Sequence, residues 1–178
     1  MSKSSQIIYT VGHSTHPIDE FIKLLQTYGV EQLIDIRTVP GSRHNPQYGQ
    51  KPLKTALKSD NISYIYMKGL GGLRHGNKES INMGWRNKSF RSYADYMQTP
   101  EFMAALKELI SISKKVPTVI MCAEAVPWRC HRSLVGDALL VRGITVRDII
   151  SLTSDPEHKL TSFAKVNGTN ITYPESSN

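Results

Sequence analysis

A chain of 178 residues, 39% of them hydrophobic and with no long Pro/Gly/Ser-rich divider, is long enough for one domain with a real core, read here as residues 1–178 with 151–178 as a C-terminal extension. The opening MSKSSQIIYTVG lacks the apolar stretch of a signal peptide, no apolar run reaches bilayer-spanning length, and only two cysteines are present. A membrane role and a disulfide-stapled secreted fold are therefore not expected, and the expected location is the cytoplasm. The net charge is +7 and uneven: Arg37 to Arg91 holds 11 of the 22 Lys/Arg and 2 of the 15 acidic residues, so that segment is +9 and the remainder −2. A solvated basic face is the plain explanation; asymmetry of this size also points to an anionic partner, either a phosphate-bearing ligand or nucleic acid.

In chain order, Ile7 to Val11 reads as a first strand, followed by the loop Gly12-His13-Ser14-Thr15. Pro17 stands where a helix begins, with Asp19 and Glu20 in its first turn, Ile18, Phe21, Ile22, Leu25 and Tyr28 on one face, and Gly29 past its end. Leu33 to Arg37 is a second strand that carries Asp35 and Arg37, two apart and so on one face, toward its carboxyl end. The loop Thr38 to Pro46 brings Ser42, Arg43 and His44 between two prolines, a pattern that fits a ligand-holding loop or an ordinary rigid turn. A helix is expected from Pro52 to Lys58 and a third strand from Ile62 to Met67.

The glycines of Gly69-Leu70-Gly71-Gly72-Leu73-Arg74 allow close backbone approach to a ligand, although the turn lacks the Gly-Lys-Ser/Thr ending of a phosphate-binding P-loop. His75 to Arg91 shows little periodicity and reads as a mobile lid. Helices resume at Tyr93 to Met97, and again behind the cap Thr99 and Pro100 through Phe102, Leu106, Leu109 and Ile110. Thr118 to Met121 is a short, buried, β-branched strand, and Leu134, Val135, Ala138 and Leu139 set the period of the helix beyond it. Gly143 closes that helix and Ile144 to Ile150 forms a fifth strand. Val166-Asn167-Gly168-Thr169 signals a hairpin within Phe163 to Tyr173, while Pro174 to Asn178 is expected to fray. Strands alternating with helices give an α/β class: a three-layer arrangement with a mostly parallel sheet of about five strands, helices on both faces and a small C-terminal hairpin. Strand order and oligomeric state are not derivable.

The stretch TVIMCAEAVPWRCHR, Thr118 to Arg132, concentrates the chemistry. A strand feeding a helix through a short loop places that loop at the carboxyl end of the sheet, where α/β proteins bind ligands. Arg129, His131 and Arg132 crowd a helix start, the end where positive charge is disfavoured unless an anion is bound. Five loops supply polar groups to the same edge. His13, Asp35, Glu124, Cys130 and His131 are the candidates for proton movement and nucleophilic attack. Ser14, Arg37, Ser42, Arg43, Gly71, Gly72, Arg74, Trp128, Arg129 and Arg132 are the candidates for holding an anionic substrate.

Three readings of the cysteines stay open. Cys130 between Arg129 and His131 has the surroundings of a reactive thiolate. Cys122, Cys130 and His131, with His13, also have the donor types of a zinc site. Cys122 at a strand end equally suits simple core filling. No cofactor and no metal ligand is assigned. The leading expectation is an enzyme acting on a nucleotide or nucleic-acid substrate; the rivals are a non-catalytic binding module for nucleic acid or phosphate ligands, and a cysteine-based metal or redox regulator.

Five motifs in order, Thr10-Val11-Gly12-His13-Ser14, Asp35-Ile36-Arg37-x-x-Pro40-x-Ser42-Arg43, Leu70-Gly71-Gly72-x-Arg74, Tyr93-Ala94-Asp95-Tyr96-Met97, and Met121-Cys122-Ala123-Glu124 with Cys130-His131-Arg132, resemble the family named domain of unknown function 488. The resemblance covers nearly the whole chain. It implies a compact α/β domain with these motifs gathered at one site, and it implies no particular reaction.

Overall fold

The computed structural model describes residues 6–72 and 74–176. Five parallel strands, β1 (Ile7–Gly12), β2 (Gln32–Asp35), β3 (Ser63–Tyr66), β4 (Thr118–Cys122) and β5 (Thr145–Asp148), pair in the order β3-β2-β4-β1-β5. Five helices, α1 (Ile18–Thr27), α2 (Gln50–Ser59), α3 (Lys88–Tyr96), α4 (Pro100–Ser113) and α5 (Arg132–Leu140), connect them, and β6 (Lys165–Asn167) with β7 (Asn170–Thr172) forms a C-terminal antiparallel hairpin. No helix among the described residues is long and apolar enough to cross a membrane.

Successive strand residues point to opposite faces, and both faces are apolar because both are covered. Leu33, Val119 and Met121 pack with Phe21, Ile22, Leu24 and Leu25 of α1 and Leu53 and Leu57 of α2. Ile34 and Ile120 pack on the other face with Tyr93 of α3, Phe102, Leu106 and Leu109 of α4, and Leu134, Val135 and Leu139 of α5. Each such fully buried aliphatic side chain contributes about 1.5–3 kcal/mol relative to exposure. The three-layer expectation therefore holds, with β4 at the centre of the sheet.

The order also fixes where a crevice opens. Chain leaving β1 and β2 crosses to the face of α1 and α2, whereas chain leaving β4 turns to the opposite face as α5, so the carboxyl end of β4 is a topological switch point.

Local signals explain most boundaries. Pro17 precedes α1, Asp19 and Glu20 occupy its first turn, and Gly29 follows at φ +68°. Thr99 caps α4 by accepting from the Phe102 amide, with Pro100 as the first helical residue. Several expectations shift, α2 widening to Gln50–Ser59 and β3 narrowing to Ser63–Tyr66 among them. β2 ends at Asp35, with the Ile36 amide making the last bond to β4, at the Met121 carbonyl. β5 is trimmed to Thr145–Asp148: the Ile149 amide makes the last bond to β1, at the Thr10 carbonyl, and the Ile150 amide turns to Ser154. α3 begins at Lys88 rather than Tyr93, behind Asn87, whose side chain accepts from the amides of Ser89 and Phe90. The hairpin turns at Gly168-Thr169, with Asn167 facing Asn170 and Gly168 at φ +65°.

The segment read as a lid is pinned instead. Ser80 Oγ and Asn82 Nδ2 donate to Asp95 at 2.6 and 2.7 Å, and Trp85 packs against Phe90, Phe163 and Tyr173. At the C-terminus Tyr173 is fully buried, its amide donating to Asn82; Ser177 and Asn178, part of the expected frayed tail, lie outside the described residues, as does Leu73 of the glycine turn.

Candidate functional site

At the carboxyl end of β4 lies a cleft of about 490 Å³, lined by Arg37, Thr38, Val39, Gly41, Gly72, Ser89, Phe90, Cys122, Ala123, Glu124, Arg129, Cys130 and His131. Of the residues expected to form a site, the cleft brings together Arg37, Gly72, Glu124, Arg129, Cys130 and His131. It adds Cys122, and it adds Ser89 and Phe90 from the first turn of α3. The amino ends of α3 and α5 both approach it.

Arg37 is buried, and its charge is answered at once. Its Nε and Nη2 donate to the two carboxylate oxygens of Asp35 at 2.9 and 2.7 Å, and Tyr64 Oη donates to the same carboxylate at 2.6 Å. A third contact joins Arg37 Nη1 to His13 Nε2 at 3.4 Å. His13 Nδ1 lies 2.8 Å from the Ser14 carbonyl, so the hydrogen-bond pattern assigns the proton to Nδ1 and leaves Nε2 to accept from Arg37. Burial, and secondarily the Arg37 charge, holds the His13 pKa below its usual value, and Tyr48 stacks on the ring at 4.2 Å. Asp35, Arg37 and His13 thus form a buried wall behind the cleft.

His131, the residue before α5, aims Nε2 at the Ile36 carbonyl at 2.9 Å and Nδ1 at Cys130 Sγ at 3.5 Å. With Nε2 donating to a carbonyl, Nδ1 is the acceptor. Burial pushes this pKa down to about 4, so the ring is a neutral imidazole near neutral pH. Gly72 packs against the ring so closely that a Cβ there would lie 2.6 Å from Nδ1.

Arg132, in the first turn of α5, is fully buried. Its Nη1 donates to Cys122 Sγ at 2.7 Å and to the Glu124 carbonyl at 2.5 Å, its Nη2 to the Ala125 carbonyl at 3.2 Å, and its Nε to Thr10 Oγ1 at 3.2 Å. No carboxylate among the described residues is in contact with it. Burial lowers its pKa to about 10, which leaves it cationic near neutral pH, with Asp148 acting from behind Thr10. Gly12 makes this possible, because a Cβ there would collide with the Glu124 carbonyl and reach within 2.8 Å of Arg132 Nη1.

The sulfurs of Cys122 and Cys130 are in contact across the floor, and both residues are buried. Among the described residues no group of three or more His, Cys, Asp and Glu is placed to hold a metal.

Other candidates stand apart from the cleft lining. Ser42 Oγ accepts from the Asn45 amide and stiffens its own loop, while Arg43 is exposed. Arg74 donates to the carbonyls of Gly71 and Lys68 and stacks 3.7 Å over Tyr96, closing the glycine turn on itself. Ser14 takes φ +47° at the end of β1, its amide bonded to the Ala123 carbonyl. Trp128 is 67% exposed on the short 3-10 turn Pro127–Arg129, in a neighbouring groove of about 590 Å³.

The polar groups that sequence reasoning missed are Thr10, Asp137, Asp148 and His158. His158 bridges Asp137 at 2.9 Å and Asp148 at 3.4 Å, and Tyr173 Oη donates to Asp137 at 2.8 Å. Although burial opposes its charge, the two carboxylates raise the His158 pKa to about 9. An aspartate in the middle of α5, between the apolar pairs Leu134-Val135 and Leu139-Leu140, was the one available signal.

No curated protein and no solved structure shows a significant match to the chain. The family model titled Domain of unknown function DUF488 does, over residues 17–139, a span that runs from the start of α1 into α5 and contains most of the cleft; the protein belongs to the DUF488 family.

Proposed function

We propose that the cleft binds an anionic, phosphate-bearing ligand and that the protein is an enzyme acting on a nucleotide or nucleic-acid substrate. The observation that carries this reading is the exposed Arg129, which makes no ion pair with a described residue and lines a cleft approached by the amino ends of α3 and α5. Glu124, the one exposed carboxylate on the lining, is the group that gives or takes a proton in this reading. Trp128, one residue before Arg129 and in the neighbouring groove, offers a face on which a base extending beyond the cleft can stack.

The reading is tested by anisotropy of a labelled single-stranded oligonucleotide, with inorganic phosphate and pyrophosphate as competitors. Binding should weaken steeply as salt rises. Arg129→Glu should lower affinity by roughly ten-fold or more, since it replaces attraction by repulsion at a phosphate contact. Full-strength binding by Arg129→Glu would move the ligand away from this cleft, and no binding at low salt would remove nucleic acid from the reading.

A further inference from the structure

The two cysteines share one floor but meet different donors, Cys122 the Arg132 guanidinium and Cys130 the Arg132 backbone amide. Cys122 Sγ receives Nη1 of a fully buried guanidinium at 2.7 Å. The carbonyl nearest to it as an acceptor, that of Glu124, is 3.7 Å away and already takes the Arg132 bond. A sulfur that is offered a cation and no good acceptor is better accommodated as a thiolate than as a thiol. Cys130 differs: among the described residues its Sγ receives the Arg132 backbone amide at 3.5 Å and no side-chain cation. With the His131 proton assigned to Nε2, its Nδ1 lone pair faces Cys130 Sγ at 3.5 Å, a contact that the Cys130 S–H can fill.

Arg132 is aimed by what lies behind it. Thr10 Oγ1 gives its proton to Asp148 Oδ1 at 2.5 Å, which fixes its lone pair toward Arg132 Nε. His158 holds the other carboxylate oxygen of Asp148 at 3.4 Å. The remaining charged or titratable groups near Cys122 leave this field in place. Arg37 is neutralised by Asp35, His13 is in its neutral tautomer, and the side chains of Glu124 and Arg129 are exposed and screened by water.

We propose that in the reduced protein Cys122, and not Cys130, carries the ionised thiol of the cleft, with Arg132 as its counter-charge and Thr10–Asp148 as the positioning pair that aims Arg132. This gives the cleft a nucleophile for electrophilic centres on a bound anion. It rests on the same cleft as the proposed function, but its test uses no anionic ligand, so either can fail alone.

The test is thiolate absorbance at 240 nm in reduced protein between pH 5 and 9, below the range in which tyrosines ionise. In Cys130→Ser the remaining Cys122 should be at least ten-fold more ionised at pH 7 than a free thiol, which is about 3% thiolate there. In Cys122→Ser the remaining Cys130 should show no excess over a free thiol. Iodoacetamide at pH 6 should then label Cys122 first in the reduced wild-type chain, the thiolate electron pair forming the S–C bond as iodide leaves with its own pair. Thr10→Val in the Cys130→Ser background should cut the thiolate signal several-fold with circular dichroism unchanged, and Thr10→Ser, which keeps the hydroxyl, should restore it. Ionisation of Cys130 before Cys122, or of Cys122 only at or above the free-thiol value, overturns the proposal, and a Thr10→Val protein that is folded yet unchanged removes the positioning pair from it.

Discussion

Two buried arginines stand at neighbouring strand ends and are handled in opposite ways. Arg37, just past β2, is held by both oxygens of Asp35, so its charge is spent within a closed unit. Arg132, at the start of α5, touches carbonyls, a hydroxyl and a sulfur, and the Asp148 carboxylate that acts on it lies behind Thr10. A buried cation with a contacting counter-ion is a structural joint, whereas one satisfied by neutral acceptors keeps a field that reaches the cleft. Membership in a cluster of arginines therefore says little about role; what decides it is the distance to the first carboxylate.

The sharpest way to break this contrast is to remove the counter-ion of the closed pair. Asp35→Ala leaves Arg37 buried without its carboxylate and should destabilise the fold by about 3–5 kcal/mol, read from urea unfolding. A loss below about 1 kcal/mol would mean that Arg37 finds water and that the pair is no joint.

A comparable effect is expected from pH, through the histidines at the two ends of the Arg132 network. The folded pKa of His158 is raised to about 9, so its contribution is full below the unfolded value of about 6.5 and is lost as pH rises through 9. The folded pKa of His131 is lowered to about 4, so stability falls as pH drops from about 6.5 toward 4, while the unfolded chain takes up a proton that the folded one refuses. His13 acts in the same direction as His131. Stability should peak near pH 6.5, each limb being on the order of 3 kcal/mol deep. His158→Gln should flatten the alkaline limb alone; an unchanged limb would take His158 out of the network.

The smallest effect of the three sharpens the contrast. Gly12→Ala places a methyl against the Glu124 carbonyl and Arg132. It should cost about 1–3 kcal/mol while altering the 240 nm thiolate signal of Cys122, which Asp35→Ala in a protein that still folds should leave intact.

Much of this arrangement was legible in the sequence because it is local. The run from Thr118 to Arg132 announced strand, polar loop and helix, and the caps at Pro17, Thr99 and Gly143 marked their helices through short-range chemistry. The start of α3 was missed because Lys88 to Ser92 carries no apolar period; its one cue was Asn87 as a cap. The lid expectation failed because Trp85 is anchored by Phe163 and Tyr173, partners nearly eighty residues or more away that no window can see. Strand order had the same obstacle, since parallel pairing is non-local. The contrast between the cysteines depends on which nitrogen of His131 carries the proton, and that is set by the carbonyl of Ile36, 95 residues earlier in the chain.

The ladder between β1 and β4 does not stop where the strands do. His13 donates to the Cys122 carbonyl and Ser14 to the Ala123 carbonyl, two further rungs beyond the sheet edge, with Ser14 bent into the left-handed region to make the second. The loops that follow the two strands are thereby zipped together at their roots. Wherever an incoming molecule meets this wall it meets a preformed surface, and little ordering entropy is left to be lost on contact. Amide protons of His13 and Ser14 should accordingly exchange as slowly as those of the central strands, so that the rim of the cleft shares the rigidity of the sheet.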